Sequence, residues 1–284
     1  MQRYHNNYMH IIPAKKSLGQ NFLTSKSALA KIALAGDVGP GDLVLEIGPG
    51  KGALTEILLD AGARVIAVEK DKRLIPLLEE SFGEAIADGR LTLINDDILD
   101  PVLLKTLVDT HEIGEGTFKL VANIPYYITG LIFRQFLEHG PRPTVMVVLV
   151  QKEVAESIVA KNKKEGILSI SVKAFGTPKL VAKVPRGSFN PPPNVDSAIL
   201  AITNVSGDKF IKAGIGPKKF FELVRAGFHA KRKTLLNNLI AHTGGSKETL
   251  IEKLTSLSID PKTRPEDLSV DDWFRIGDAV KKNT

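Results

Sequence analysis

The sequence predicts an α/β protein, a mostly parallel sheet covered on both faces by helices, followed by a small all-helical domain. Three observations predict it. Short apolar runs alternate with helical periodicity over the first two thirds of the chain. Three glycines stand directly after the first of those runs, at the mouth of a helix. After Val205 the strand pattern stops and only helical spacing remains. Strand–helix alternation builds a parallel sheet, because each parallel connection must cross back over one face. The expected domains are residues 1–204 and 205–284, with "VSGDKFIKAGIGPKK" (205–219) as the linker between them.

Taken in order, the expected strands are "LVLEIG" (43–48), "RVIAVE" (64–69), "LTLIND" (91–96), "KLVANI" (119–124), "VMVVLV" (145–150) and "SAILAI" (197–202). The helical segments between them include "ALTEILLDAG", "KRLIPLLEESFG" and "ITGLIFRQFLEHG", each closing in glycine as helices tend to. "GILSISVKAFG" (166–176) is ambiguous by periodicity, although Leu168, Val172 and Phe175 share one helix face. In the last part, Phe221, Val224 and Phe228, then Leu235, Leu236 and Leu239, recur at helical spacing.

Composition narrows the function. The chain has 284 residues, 43% hydrophobic and 25% charged, enough for a sizeable core. Cysteine is absent, which excludes disulfides, thiolate metal sites and thiol catalysis. The six histidines are scattered, so no metal is expected. No apolar stretch reaches the length of a membrane span, and "MQRYHNNYMHII" lacks a secretory signal's apolar core. A cytoplasmic protein with no membrane partner is expected. The net charge is +6, and residues 205–284 hold 15 Lys and Arg against 10 Asp and Glu. Within them, Lys212 to Lys233 carries seven basic residues opposed only by Glu222. Before Asp37 the chain is purely basic, with Arg3, Lys15, Lys16, Lys26 and Lys31. Solvated faces and a polyanionic partner are both open readings of these runs.

"LEIGPGKGAL" brings the backbone close to a ligand and offers it free N–H groups at a helix start. Gly48, Gly50 and Ala53 satisfy a dinucleotide fingerprint, and Glu69, 21 residues after Gly48, is placed to accept from ribose hydroxyls. That pattern indicates a nucleoside-bearing cofactor without saying which. Two details favour S-adenosylmethionine over NAD. Glu46 puts a carboxylate beside the loop, suited to an ammonium and a sulfonium, and Asp97 follows the third strand, where it could accept from an adenine amine.

"NIPY" (123–126) leaves the fourth strand at its carboxyl end, where ligands bind in open α/β sheets. Its chemistry suits a second adenine. The Asn123 side-chain oxygen and the Pro125 carbonyl are two acceptors for one exocyclic amine, and Tyr126 is a face on which the ring can stack. "SFNPPPNVDSA" (188–198) offers Phe189 as the other face of that stack if the stiff proline loop exposes it, or as a core residue if it does not.

With these residues in place, the chain resembles the KsgA/RsmA-type small-subunit ribosomal RNA adenine dimethyltransferases along nearly its whole length. The matching stretches, in family order, are "KKSLGQNFL" (15–23), "VLEIGPGKGALT" (44–55), "VEKD" (68–71), "NIPYYI" (123–128), "LVQKEVAE" (149–156) and "SFNPPPNVDSA". The resemblance implies a Rossmann-like S-adenosylmethionine-dependent methyltransferase domain with a mostly parallel seven-stranded sheet and a helical RNA-binding domain. It implies dimethylation of two adjacent adenines in a hairpin near the 3' end of small-subunit ribosomal RNA, during ribosome biogenesis. The implied partner is a pre-assembled small ribosomal subunit, met by a monomer. It further implies that Asn21, Leu23, Gly48, Glu69, Asp97 and Asn123 contact the cofactor, Asn123 also facing the target amine. "QNFL" would fold over the cofactor; from composition alone it could equally enter a helix. Family members often carry Ser or Thr where this chain has Gly130. Three rivals stay open: a large-subunit RNA methylase of the same chemistry, an RNA-binding factor that has lost catalysis, and an NAD oxidoreductase, which gives "NIPY" no role.

Overall fold

The computed structural model describes residues 12–160, 162–230, 232–243 and 246–281. By packing, the chain divides into two compact units, residues 1–155 with 179–205, and residues 156–178 with 206–284. The stretch 156–178, expected in the first domain, thus groups with the C-terminal helices.

The first unit is built on one sheet. Its strands are β2 (Leu43–Ile47), β3 (Arg64–Glu69), β4 (Leu91–Asn95), β5 (Lys119–Ala122), β6 (Val145–Gln151), β7 (Thr177–Val184) and β9 (Ser197–Thr203). Phe22–Leu23 (β1) and Phe189–Asn190 (β8) form a separate antiparallel pair. The sheet order is β4-β3-β2-β5-β6-β9-β7, with β4 to β6 parallel to their neighbours and β9 antiparallel to β6. This is the mostly parallel seven-stranded, Rossmann-like architecture. All five residues of β2 are buried, as a parallel strand covered on both faces requires, and one of them is Glu46.

Helices α1 (Lys26–Ala35), α2 (Ala53–Asp60), α3 (Ile75–Ala87) and α4 (Pro101–Thr110) fill the early connections. The Ser25 and Asp100 side chains cap α1 and α4 by accepting from the backbone N–H groups of Ala28 and Val102. After β5 come a 3₁₀ turn (Tyr126–Ile128), α5 (Thr129–Phe133) and a π-helical stretch (Arg134–His139). The single helix expected over 128–140 is therefore broken into three geometries. At Gly130 an added Cβ meets nothing within 4 Å, so glycine is not required there for space.

β7 carries no strand expectation from the sequence. It lies at the sheet edge, its residues mostly exposed or half-buried in alternation, and Pro178, Lys179 and Lys183 mask the pattern.

The second unit resolves two readings. Residues 167–175 are helical (α7, Ile167–Phe175) after α6 (Lys152–Ile158), and Val172 and Phe175 are buried. The stretch expected as a linker contains α8 (Asp208–Lys212), whose Phe210 is buried. The Phe210 ring lies 4.7 Å from that of Phe175, 5.4 Å from Phe220 and 5.0 Å from Phe274. Aromatic packing, not tethering, is what this segment does. The remaining helices are α9 (Pro217–Gly227), α10 (Leu235–Thr243), α11 (Lys247–Ser256) and α12 (Val270–Lys281). Lys212, Lys218, Lys219, Arg225, Arg232 and Lys233 of the basic run are exposed. Lys231, Arg3 and the rest of residues 1–11 lie outside the described residues.

Candidate active site

The sheet order reverses at β2, which has β3 and β4 on one side and β5 and β6 on the other. Loops leaving the carboxyl ends of β2 and β5 diverge there and open a crevice. The loop after β2 is "GPGKG", with Gly48, Gly50 and Gly52 all at positive φ. Gly52 has φ +84, and a Cβ there would lie 2.4 Å from the Phe82 ring, so both conformation and space demand glycine. The loop after β5 carries "NIPY", and an added Gly48 Cβ would lie 3.9 Å from the Asn123 carbonyl oxygen.

Asn21, Leu23, Gly48, Glu69, Asp97, Asn123, Pro125, Tyr126 and Phe189 all line this one cleft, within the first unit. Their separate chemistry is visible. Asn123 Nδ2 donates to the Asn21 carbonyl at 3.4 Å, which leaves the amide oxygen as the side chain's acceptor. The Pro125 carbonyl accepts from the Ile128 N–H at 3.1 Å and has a second lone pair remaining. The Tyr126 hydroxyl and the Ser197 Oγ share a 2.6 Å hydrogen bond that fixes the half-buried ring; burial raises the phenol, with Ser197 opposing.

Glu69, the last residue of β3, is only 5% exposed. Its Oε2 accepts from the Gly50 N–H at 3.0 Å and its Oε1 from the Asp71 N–H at 2.7 Å, tying the end of β3 to the glycine loop. Burial raises its carboxyl, and these backbone donors pull the other way. Asp97 accepts from Lys70 Nζ at 2.6 Å and from the Leu99 N–H at 3.1 Å. Burial pushes its carboxyl up, but Lys70 and Leu99 together hold it below the usual range. Glu46 is 1% exposed; burial pushes it up to about 8, with the Thr55 hydrogen bond opposing and the Glu69 charge adding.

Phe189 corrects an expectation. Its ring is not exposed by the proline loop: the residue is 5% exposed and belongs to the hydrophobic cluster containing Leu23, Leu29 and Val184. The cause is the pairing of β1 with β8, which sets Phe189 opposite Leu23. It contributes to the cleft as part of the wall. The aromatic side chain that stands out at the cleft is Tyr127, 61% exposed.

The N-terminal stretch is held over the glycine loop. An added Gly50 Cβ would lie 3.1 Å from the Phe22 ring, and Lys51 Nζ is 5.0 Å from that ring's centroid. Thr24 N–H donates to the Ser188 carbonyl at 2.8 Å. Gln20 Nε2 donates to Asp71 Oδ2 at 2.9 Å, and Arg73 pairs with the same carboxylate at 2.6 Å. Hydrogen bonding from Arg73 is the main influence holding Asp71 down to about 2. Asp71, Arg73 and Ser197 carried no role from the sequence, and Gln20 entered only as the first residue of "QNFL". Three of the four lie inside "KKSLGQNFL", "VEKD" and "SFNPPPNVDSA", which is the signal that could have found them.

These residues suit a positively charged nucleoside cofactor. The glycine cradle admits close backbone approach, Glu69 and Asp97 supply acceptors, and Glu46 Oε1 is buried in the cleft wall without a hydrogen-bond partner. Among the described residues no group of three His, Asp or Glu could hold a metal ion. No described helix is long and apolar enough to cross a membrane.

Residues 12–282 match the model of the family described as ribosomal RNA adenine dimethylase. A relative from Dehalococcoides mccartyi, ribosomal RNA small subunit methyltransferase A, is 46% identical over 267 residues, covering 94% of this chain and 88% of its own. The solved dimethyladenosine transferase from Plasmodium falciparum is 28% identical, with TM-score 0.71, covering 90% of this chain and 95% of that one. The 23S rRNA methyltransferase ErmE has TM-score 0.68 at 23% identity, covering 92% of this chain and all of that one, a likeness of fold.

Proposed function

The chain belongs to the ribosomal RNA adenine dimethylase family, and on that premise we propose that it dimethylates the exocyclic amines of two adjacent adenines in a hairpin near the 3' end of small-subunit ribosomal RNA. The observation that carries the reading is the meeting of the glycine loop and "NIPY" in one cleft at the strand-order reversal. S-adenosylmethionine, held by Asn21, Leu23, the glycine loop, Glu69 and Asp97, supplies an electrophilic methyl group on a sulfonium.

Adenine's exocyclic nitrogen is a poor nucleophile because its lone pair is delocalised into the ring. The Asn123 oxygen and the Pro125 carbonyl accept from its two N–H bonds and draw it toward tetrahedral geometry. The lone pair then localises and is aimed at the methyl group. Tyr126, immobilised through Ser197, holds the flipped ring by stacking, and Phe189 backs that wall from within the core. Once methylated, the nitrogen is acidic and its proton passes to solvent. The protein's contribution is positioning and a prearranged electrostatic environment. The exposed basic face of the helical unit engages the phosphate backbone without reading sequence.

Incubating the protein with methyl-labelled S-adenosylmethionine and separated ribosomal RNAs tests this. Label is expected in adenines of small-subunit RNA; label confined to large-subunit RNA, or none, rejects the reading.

A further inference from the structure

Glu46 is the penultimate residue of β2, a strand buried at all five positions, and the reaction as described above does not use it. Its Oε2 accepts from the Thr55 hydroxyl of α2 at 2.7 Å, while Oε1 is buried with no hydrogen-bond partner. Its register neighbours are Ala67 on β3 and Val121 on β5, both apolar. Yet the carboxyl lines the cleft. The charged side chains around that cleft are already engaged or repulsive. Glu69 is the nearby charge that opposes ionisation of Glu46. Lys70 is paired with Asp97, Arg73 with Asp71, and Lys51 rests over the Phe22 ring. Among the described residues no cation pairs with Glu46. A carboxylate so placed is removed from bulk solvent and has no counter-charge, and burial of an unpaired charge is costly enough that the group keeps its proton.

We propose that Glu46 recognises the positive charge of the cofactor by exchanging a proton for it, standing protonated in the free protein and ionised in the complex. The inference rests on the S-adenosylmethionine reading above. The only bond broken is the carboxyl O–H, and its proton leaves to the buffer. The direction of the burial effect, up to about 8 in the free protein, agrees with this. Linkage then fixes the sign. Between the lower value in the complex and the higher value in the free protein, cofactor affinity rises with pH by up to about tenfold per pH unit, and it levels off above the upper value.

The test is calorimetric titration with S-adenosylmethionine in buffers of different ionisation enthalpy, on wild type and Glu46→Gln. At about pH 6.5, below the ordinary range of an α-amino group, the cofactor's amino group is protonated both free and bound and contributes equally with both proteins. At that pH the wild type is expected to release about one proton more than the variant. Equal proton counts with both proteins binding overturn the proposal while leaving the cofactor reading intact. Absence of binding to the wild type overturns both. Should Glu46→Gln fail to fold, infrared difference spectra of the wild type decide. Loss of a protonated-carboxyl band on adding S-adenosylmethionine is expected, and retention of that band overturns the proposal.

Discussion

At the scale of single residues, the cleft depends on carboxyls doing different work in different surroundings. Glu69 accepts backbone N–H groups from Gly50 and Asp71, so it shapes the glycine loop as well as facing the cleft. Glu69→Gln is expected to weaken S-adenosylmethionine binding by about 1.5–3 kcal/mol, the range for hydrogen bonds to a charged group. Calorimetry showing unchanged affinity would remove Glu69 from the cofactor site. Because the residue is buried, the substitution is also expected to lower thermal stability, which a strand-end residue facing solvent would not do. Glu46 acts through pH. Its carboxyl is raised from 4.5 to about 8 in the fold, so the folded state holds a proton that the unfolded chain has lost in that window. Its stabilising contribution is therefore full below about pH 4.5 and is lost as pH rises toward 8. Denaturant titrations without cofactor at pH 6 and pH 8.5 are expected to show the wild type losing about 2–4 kcal/mol relative to Glu46→Gln over that interval. Parallel behaviour of the two proteins would mean that Glu46 is already ionised in the free state.

At the scale of elements, the short β1–β8 pair decides what Phe189 does. It sets Phe189 opposite Leu23 and inside the hydrophobic cluster. Phe189→Ala is expected to cost about 3–5 kcal/mol of folding stability, the range for emptying an aromatic site in a core. A melting temperature unchanged beside slowed methylation would restore the exposed stacking role instead. The same pair shows where sequence reading stops. The buried strands β2, β3, β5 and β6 are legible because a parallel strand covered on both faces is a continuous apolar run. β7 is not, because an edge strand with Lys179, Lys183 and Pro178 lacks that run. Phe210 reads as part of a linker because Gly207, Gly214 and Gly216 surround it, and nothing local announces the aromatic rings that other helices bring against it. The cleft residues are legible as motifs at strand ends. The burial of Phe189 and the anchoring of Tyr126 by Ser197 depend on pairings between segments far apart in sequence.

At the scale of the whole molecule, the charge is unevenly spread, and that asymmetry has a measurable consequence. α9 buries Phe220, Phe221 and Val224 while Lys218, Lys219 and Arg225 stay exposed, so the basic residues form a solvated face rather than a core requirement. If that face follows a phosphate backbone, it acts through counterion release. Replacing Lys218, Arg225 and Lys233 by Ala is expected to weaken binding to ribosomal and unrelated structured RNA alike, lowering the salt slope by about one for each phosphate no longer neutralised. An unchanged slope would assign the run to solubility alone. Transfer of methyl groups to adenine amines by the cleft holding Asn123 is read out by nucleoside mass spectrometry. Small-subunit RNA is incubated with S-adenosylmethionine and either wild type or Asn123→Ala, at saturating concentrations of both substrates. Dimethyladenosine is expected with the wild type and a turnover about 10²–10³-fold lower with the variant, the cost of losing one prearranged polar group at the reacting centre, while RNA affinity stays near normal. Near-normal turnover by Asn123→Ala, or no dimethyladenosine from the wild type, would contradict this role of the cleft.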